Sequence, residues 1–451
     1  MKVLVCWPPH VPSYFNAGHH LPVFSIAAFL RARGYEVDAL DAGALNCTWK
    51  DFADKVFQGG YDLVVLVNDF DVVEGVRRAA EYTRALAPSA VLMTVGRLSY
   101  QNPGFFRELD LDVVAESGDY EAAVVETLRW MTDGRPAEAD LAGVSWRTGQ
   151  DWHAPVRPGT WMPADDWVLP QVEEIPYAHY EMLYGRDQNK FCGIPERREL
   201  VVPVARGCPV GCDFCDVPPM QGLRERRMGV ERVVSYIRDS FADHPFEYVA
   251  FYAPTFTLSK RWVRQLCEAL SAEPRQYPWK CATTMFHLDE ELVRAMGEAG
   301  CVRISVGVET FETDGEAGLP TVKKSARERF DELARWCSDS GVELNCFLII
   351  GLPGTTPEGA RRAMDVISAA GARVRPTLYT PYNLMREDMT EREMSAFNRQ
   401  LFVDENEIRR GGREPSEYLA VLYGGDDYVT PATGRVDQVA GRVSPLPAAG
   451  W

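Results

Sequence analysis

The stretch ARGCPVGCDFCDVPP, residues 205–219, sets Cys208, Cys212 and Cys215 at the spacing C-x3-C-x2-C, between an apolar run and a diproline. A structural zinc site takes four ligands, commonly as two paired thiols, and no fourth cysteine stands nearby. An iron–sulfur cube is held by thiolates, and three of them leave one iron open to a small cofactor. Buried thiols and zinc remain the alternatives; the missing fourth ligand favours the cube. The eleven cysteines are an odd number, otherwise single and scattered, which argues against a disulfide framework.

Acid–base chemistry has fewer markers. Asp216 directly follows the cysteine loop, and Tyr252, Tyr379 and Tyr382 stand at the ends of predicted strands. Each also has a structural or solvated reading. The reason to single them out is that barrel sites gather at the carboxyl ends of strands.

Two alternating series of apolar runs and helical patterns must position these residues, and both predict an α/β fold. Runs at 2–7, 35–40, 61–68, 90–95 and 111–116 predict strands, with helices over 22–33, 49–57, 72–86 and 119–132. That alternation predicts a doubly wound, Rossmann-like parallel sheet over 1–132. Residues 133–197, with many prolines and tryptophans, read as an extended connector in which GVSWRTG is a strand with a turn. The second series starts near 198 with ELVVPVA and continues with strands at 248–253, 279–284, 302–309, 343–351 and 373–382. Helices over 229–241, 260–271, 289–299, 324–340 and 357–370 separate them. Six such strands predict a partial (β/α)6 barrel over 198–388. A helical extension follows over 389–451, with one helix at about 390–410.

The 451 residues are 46% hydrophobic and 25% charged, as in folded soluble proteins. A formal charge of −17 argues against nucleic acid and would favour a polycationic substrate. No apolar run is long enough for a membrane span, and the opening MKVLVCWPPH reads as a buried strand rather than a signal segment. The expectation is a cytoplasmic protein.

On the cysteine loop and its strand context, residues 198–385, the sequence resembles the radical S-adenosylmethionine (SAM) superfamily. The resemblance implies a 4Fe-4S cluster on Cys208, Cys212 and Cys215, whose open iron chelates the amino and carboxylate groups of SAM. Reductive cleavage then gives methionine and a 5′-deoxyadenosyl radical, with a flavodoxin or ferredoxin as the low-potential donor. It further implies that Phe214 packs by the adenine and that Ala253 and Pro254, in YAPTF, lie by the methionine amino group. Ser305 and Glu309, in ISVGVET, would reach the ribose. Ile350 and Leu352, in IIGLPG, would meet the adenine through backbone. Met285 stands where some relatives carry an arginine for the SAM carboxylate, so that anchor is expected elsewhere.

The first domain resembles the cobalamin-binding architecture, most of whose radical SAM members are methyltransferases. The histidine motif D-x-H-x-x-G is missing: DWHAPV, residues 151–156, lacks the glycine, and His10, His19 and His20 read as loop residues rather than ligands. Length and the opening MKVLVCWPPHVPSYFNAGHHLPVF resemble the radical SAM dehydratases of aminoglycoside biosynthesis. That implies 4′-hydrogen abstraction from a paromamine-like aminoglycoside and loss of its 3′-hydroxyl as water. The 4′-keto product would pass to an NADPH-dependent partner reductase. The expectation is this dehydratase, with cobalamin possible but not favoured. The alternative is a cobalamin-dependent methyltransferase acting on an unactivated carbon.

Overall fold

The computed structural model describes residues 1–10, 19–184, 193–194, 196–324, 327–403, 412–424, 436 and 439. Contacts divide the chain into two units: residues 1–183 with 215–224 and 381–398, and residues 184–214 with 225–380 and 399–451.

The first unit is built on β1 (Lys2–Trp7), β2 (Glu36–Asp41), β3 (Leu63–Asn68), β4 (Val91–Gly96), β5 (Val113–Ala115), β6 (Val144–Thr148) and β7 (Asp151–His153). Their order is β2-β1-β3-β4-β5-β6-β7. The first five run parallel and the last two antiparallel. Every residue of β3 and β4 is buried, as LVVLVN and VLMTVG require in a sheet covered by helices on both faces. β6 and β7 lie in the stretch read as a connector. The sheet therefore continues beyond residue 132, through pairings such as Val114 with Ser145 that strand composition cannot specify. Strand order reverses between β1 and β3, and in such sheets ligands bind outside the carboxyl ends at the reversal.

The second unit carries β8 (Glu199–Pro203), β9 (Tyr248–Tyr252), β10 (Trp279–Thr284), β11 (Cys301–Glu309), β12 (Glu343–Ile350) and β13 (Arg373–Leu378). They pair in parallel and in chain order, with helices between, as a partial barrel. Polar groups fill its amino-terminal end. Tyr248 donates to Glu199 at 2.5 Å, and Arg303 grips Glu343 at 3.0 and 2.9 Å and donates to the Gly193 carbonyl at 2.9 Å. These groups brace the amino-terminal end, and barrel chemistry gathers at the other, carboxyl end of the strands.

The helix expected over about 390–410 is shorter. It spans Glu391–Ala396, opened by a Thr390–Glu393 capping box, and passes into a 3-10 turn at Phe397–Arg399. The consecutive apolar residues Leu401, Phe402 and Val403 break the helical period, and 404–410 lie outside the described residues. A further helix, Pro415–Tyr423, was not anticipated. Among the described residues no helix is long and apolar enough to cross a membrane.

Candidate active site

The cysteine loop leaves β8 through a short hairpin, Ala205–Arg206 against Arg226–Arg227. Cys208 is buried and its Sγ lies 3.6 Å from Thr255 Oγ1, while Cys212 and Cys215 are half-buried. Burial pushes the Cys212 thiol up to about 11, with the Lys323 ammonium pulling the other way. A thiolate there needs the compensating charge of a metal. Among the described residues no three His, Cys, Asp or Glu side chains converge as a site for one metal ion. A cube takes its three thiolates on three different irons, and its fourth iron stays open.

Phe214 packs into an apolar cluster with Leu319, Ile349, Leu352 and Tyr379, its ring 6.5 Å from that of Tyr379. Ile350 is buried at the end of β12. Ser305, buried on β11, accepts from Asn345 Nδ2 at 3.1 Å. Glu309 ends the same strand. A bulge against β12 between Gly307 and Glu309 re-aims the chain, and Glu309 takes a left-handed φ of 62°. Its carboxylate accepts from Lys323 Nζ at 2.7 Å, with only 5% and 15% of the two side chains exposed. A Cβ at Gly307 would come within 2.0 Å of Glu309 Oε1 and 2.6 Å of Lys323 Nζ, so glycine there makes room for the pair.

Met285 is buried and carries no charge, as the sequence indicated. Lys323 was not singled out from the sequence. It sits in the 3-10 turn Thr321–Lys323, away from any strand end, and its field reaches both Glu309 and Cys212. Ala253 is buried and Pro254 half-buried after β9. Tyr252 is tied through its carbonyl, which accepts from Val204 N at 2.9 Å, while its side chain is 55% exposed.

The other acid–base candidates are more constrained than expected. Asp216 stands 2.8 Å from Arg97 Nε, so its carboxylate is engaged in an ion pair rather than free as a base. Burial raises the Tyr382 hydroxyl pKa, with the Asp216 charge adding and Arg97 opposing. Burial likewise raises Tyr379, with Asp213 adding. Both tyrosines are thereby kept as neutral phenols, suited to donating hydrogen bonds.

The histidines near β1 lie in loop and pack against aromatic neighbours. His20 stacks on Trp7 at 3.6 Å, and its Nδ1 is 2.8 Å from Asp41, which also accepts from Tyr180. Among the described residues its Nε2 is buried without a hydrogen-bond partner. His10 is bonded by the Trp7 indole N–H at 3.2 Å, and His19 packs edge-on against Tyr180 at 4.6 Å. His153 of DWHAPV lies in β7, stacked on Trp146 at 5.3 Å, as a strand residue.

Residues 202–367 match the radical SAM superfamily. This stretch is similar to a radical SAM domain. The cofactors of that superfamily are a 4Fe-4S cluster and SAM. An uncharacterized methyltransferase of Pyrococcus horikoshii is 24% identical over 316 residues, covering 69% of this chain and 66% of that protein. Cytidylyl-2-hydroxyethylphosphonate methyltransferase of Streptomyces wedmorensis is 22% identical over 398 residues, covering 77% and 72%. Among solved structures, the radical SAM methyltransferase TsrM from Kitasatospora setae superposes with a TM-score of 0.69 at 19% identity, covering 85% of this chain and 75% of that one. The cobalamin-dependent SAM radical enzyme OxsB superposes at 0.61 with 14% identity, covering 98% and 58%. The chain thus shares the two-domain fold of cobalamin-dependent radical SAM enzymes.

These relatives overturn the expectation of water elimination from an aminoglycoside. The two curated relatives named above and TsrM are methyltransferases, and resemblance in length and opening residues does not outweigh matches over most of the chain. The 3′-deoxygenation, and the partner reductase that it required, are withdrawn. So is the low weight given to cobalamin, which a structure of TsrM contains.

Proposed function

We propose that the chain is a cobalamin-dependent radical SAM methyltransferase acting on an unactivated carbon of a small molecule. The observation that carries the reading is the pairing, in one chain, of a sheet ordered β2-β1-β3-β4-β5 with a radical SAM domain. The methyl-transfer relatives support it.

The residues fit the cofactors. Cys208, Cys212 and Cys215 hold the cluster. Lys323 takes the SAM carboxylate in place of the arginine absent at Met285, and Glu309 and Ser305 take the ribose hydroxyls. Phe214, Ile350 and Leu352 flank the adenine, and the backbone at Ala253 and Pro254 meets the methionine amino group. The cluster and SAM, when bound, supply reductive cleavage of the sulfonium, with a flavodoxin- or ferredoxin-like donor. At the first sheet, His20 is the residue suited to cobalt. A carboxylate fixes one ring nitrogen and the other lacks a partner among the described residues, the usual state of a metal-ligating histidine. Cobalamin, when bound, supplies a methyl group activated for transfer. Tyr379 and Tyr382, as neutral phenols, donate hydrogen bonds to substrate polar groups, and exposed Tyr252 contributes a contact face.

The test is cobalamin retention. Protein reconstituted anaerobically with iron, sulfide and hydroxocobalamin is desalted, and its visible spectrum and cobalt content are read. Stoichiometric cobalamin on the wild-type chain is the expected result. A chain that carries a full cluster but retains no cobalamin overturns the reading.

A further inference from the structure

Asp216 follows Cys215 and precedes the helix Val217–Gln221, where an aspartate ordinarily caps the first backbone N–H groups. It makes no such bond. Its carboxylate stands instead 2.8 Å from Arg97 Nε, with the Asp216 and Arg97 side chains 16% and 31% exposed.

Arg97 is itself held by the carboxyl edge of the first sheet. It opens the helix Arg97–Gln101 directly after β4, and Asn68, the last residue of β3, accepts from the Leu98 and Ser99 amides at 2.9 and 3.0 Å. A Cβ at Gly96 would lie 2.1 Å from the Asn68 carbonyl oxygen, so this close approach requires glycine. The guanidinium also lies over the Phe70 ring at 5.9 Å and reaches Asp69 at 3.5 Å. A cation built into the β3–β4 edge is thus aimed at the residue next to a cluster cysteine.

Reduction adds a negative charge to an iron–sulfur cluster, so its potential follows the net charge around its ligands. Asp216 places an anion one residue from Cys215, and Arg97 cancels it. We propose that Arg97 is a positioning residue that neutralises Asp216 and so sets the reduction potential of the cluster. The proposal rests on the reading of Cys215 as a cluster ligand. Arg97 is shared between Asp216 and Asp69 at the sheet edge.

The experiment is a redox titration of the full-length reconstituted chain, followed by electron paramagnetic resonance, with iron content measured in parallel. Arg97→Gln is expected to move the midpoint to more negative potential, and Arg97→Lys to stay near wild type. Adding Asp216→Asn to Arg97→Gln is expected to bring the midpoint back toward wild type. An unchanged midpoint in Arg97→Gln at equal iron content overturns the proposal. So does a double variant no nearer wild type than Arg97→Gln. Should Arg97→Gln lose its iron, the double variant decides: iron retained supports the proposal and iron lost overturns it. A wild-type chain that takes up no cluster overturns both the proposal and the reading on which it rests.

Discussion

Glu309 holds a left-handed backbone that costs a residue with a side chain roughly 1–3 kcal/mol, and it does so beside the cysteine loop. The surroundings that keep it there are the bulge, the side-chain-free Gly307 and the Lys323 ion pair. A buried pair of opposite charges is well matched to SAM, which presents a carboxylate to the cation and hydroxyls to the anion. Replacing Lys323 by Gln is therefore expected to weaken SAM binding by about 10–100-fold, the loss of one charge-assisted hydrogen bond. Equilibrium dialysis checks this, and the iron content is expected to stay at the wild-type level. Unaltered SAM affinity in that variant would remove Lys323 from the site. At this scale candidate residues were marked by the sequence where motif and strand end coincide: the three cysteines, Phe214, Ser305 and Glu309. Lys323 was not, because it stands 14 residues beyond Glu309 on an irregular turn with no periodicity to mark it. Nor was the engagement of Asp216, whose partner Arg97 is remote in the chain.

His10, just after β1, packs against the rings of Trp7 and His20. Burial, reinforced by the charge of His20, lowers the His10 pKa from 6.5 to about 4. A histidine that prefers to be neutral when folded takes up its proton more readily once unfolded. Its contribution is therefore intact above pH 6.5 and is lost as the pH falls from there toward 4, to a limit of about 3 kcal/mol. Urea unfolding monitored by tryptophan fluorescence is expected to show this decline, and His10→Asn is expected to flatten it. A wild-type chain equally stable at pH 4.5 and 7 would contradict the burial assigned to this ring. Most strands and helices of both units were legible within a few residues, because long buried runs such as LVVLVN alternate with amphipathic helices. The antiparallel β6–β7 addition was not. Its pairing depends on where GVSWRTG lands against β5, a long-range fact that composition does not carry. The helix after residue 390 was overlong because the consecutive apolar residues Leu401, Phe402 and Val403 break its period.

The whole molecule was legible as a class more readily than as a reaction. Two alternating series and one cysteine loop point to a Rossmann-like sheet followed by a radical SAM barrel, and the fold neighbours share that architecture. The choice between water loss and methyl transfer was not encoded in any local motif. It had been drawn from length and opening residues, which report ancestry only weakly, and from a charge of −17 that suits many soluble proteins. What every part of the account requires is a cluster with one iron left open for SAM. The most direct measurement is the electron paramagnetic resonance spectrum of the reduced, reconstituted chain with and without SAM. Ligation at the open iron predicts a shifted g-tensor on adding SAM, and its absence in a chain lacking Cys212. Superimposable spectra in the presence and absence of saturating SAM would contradict the account.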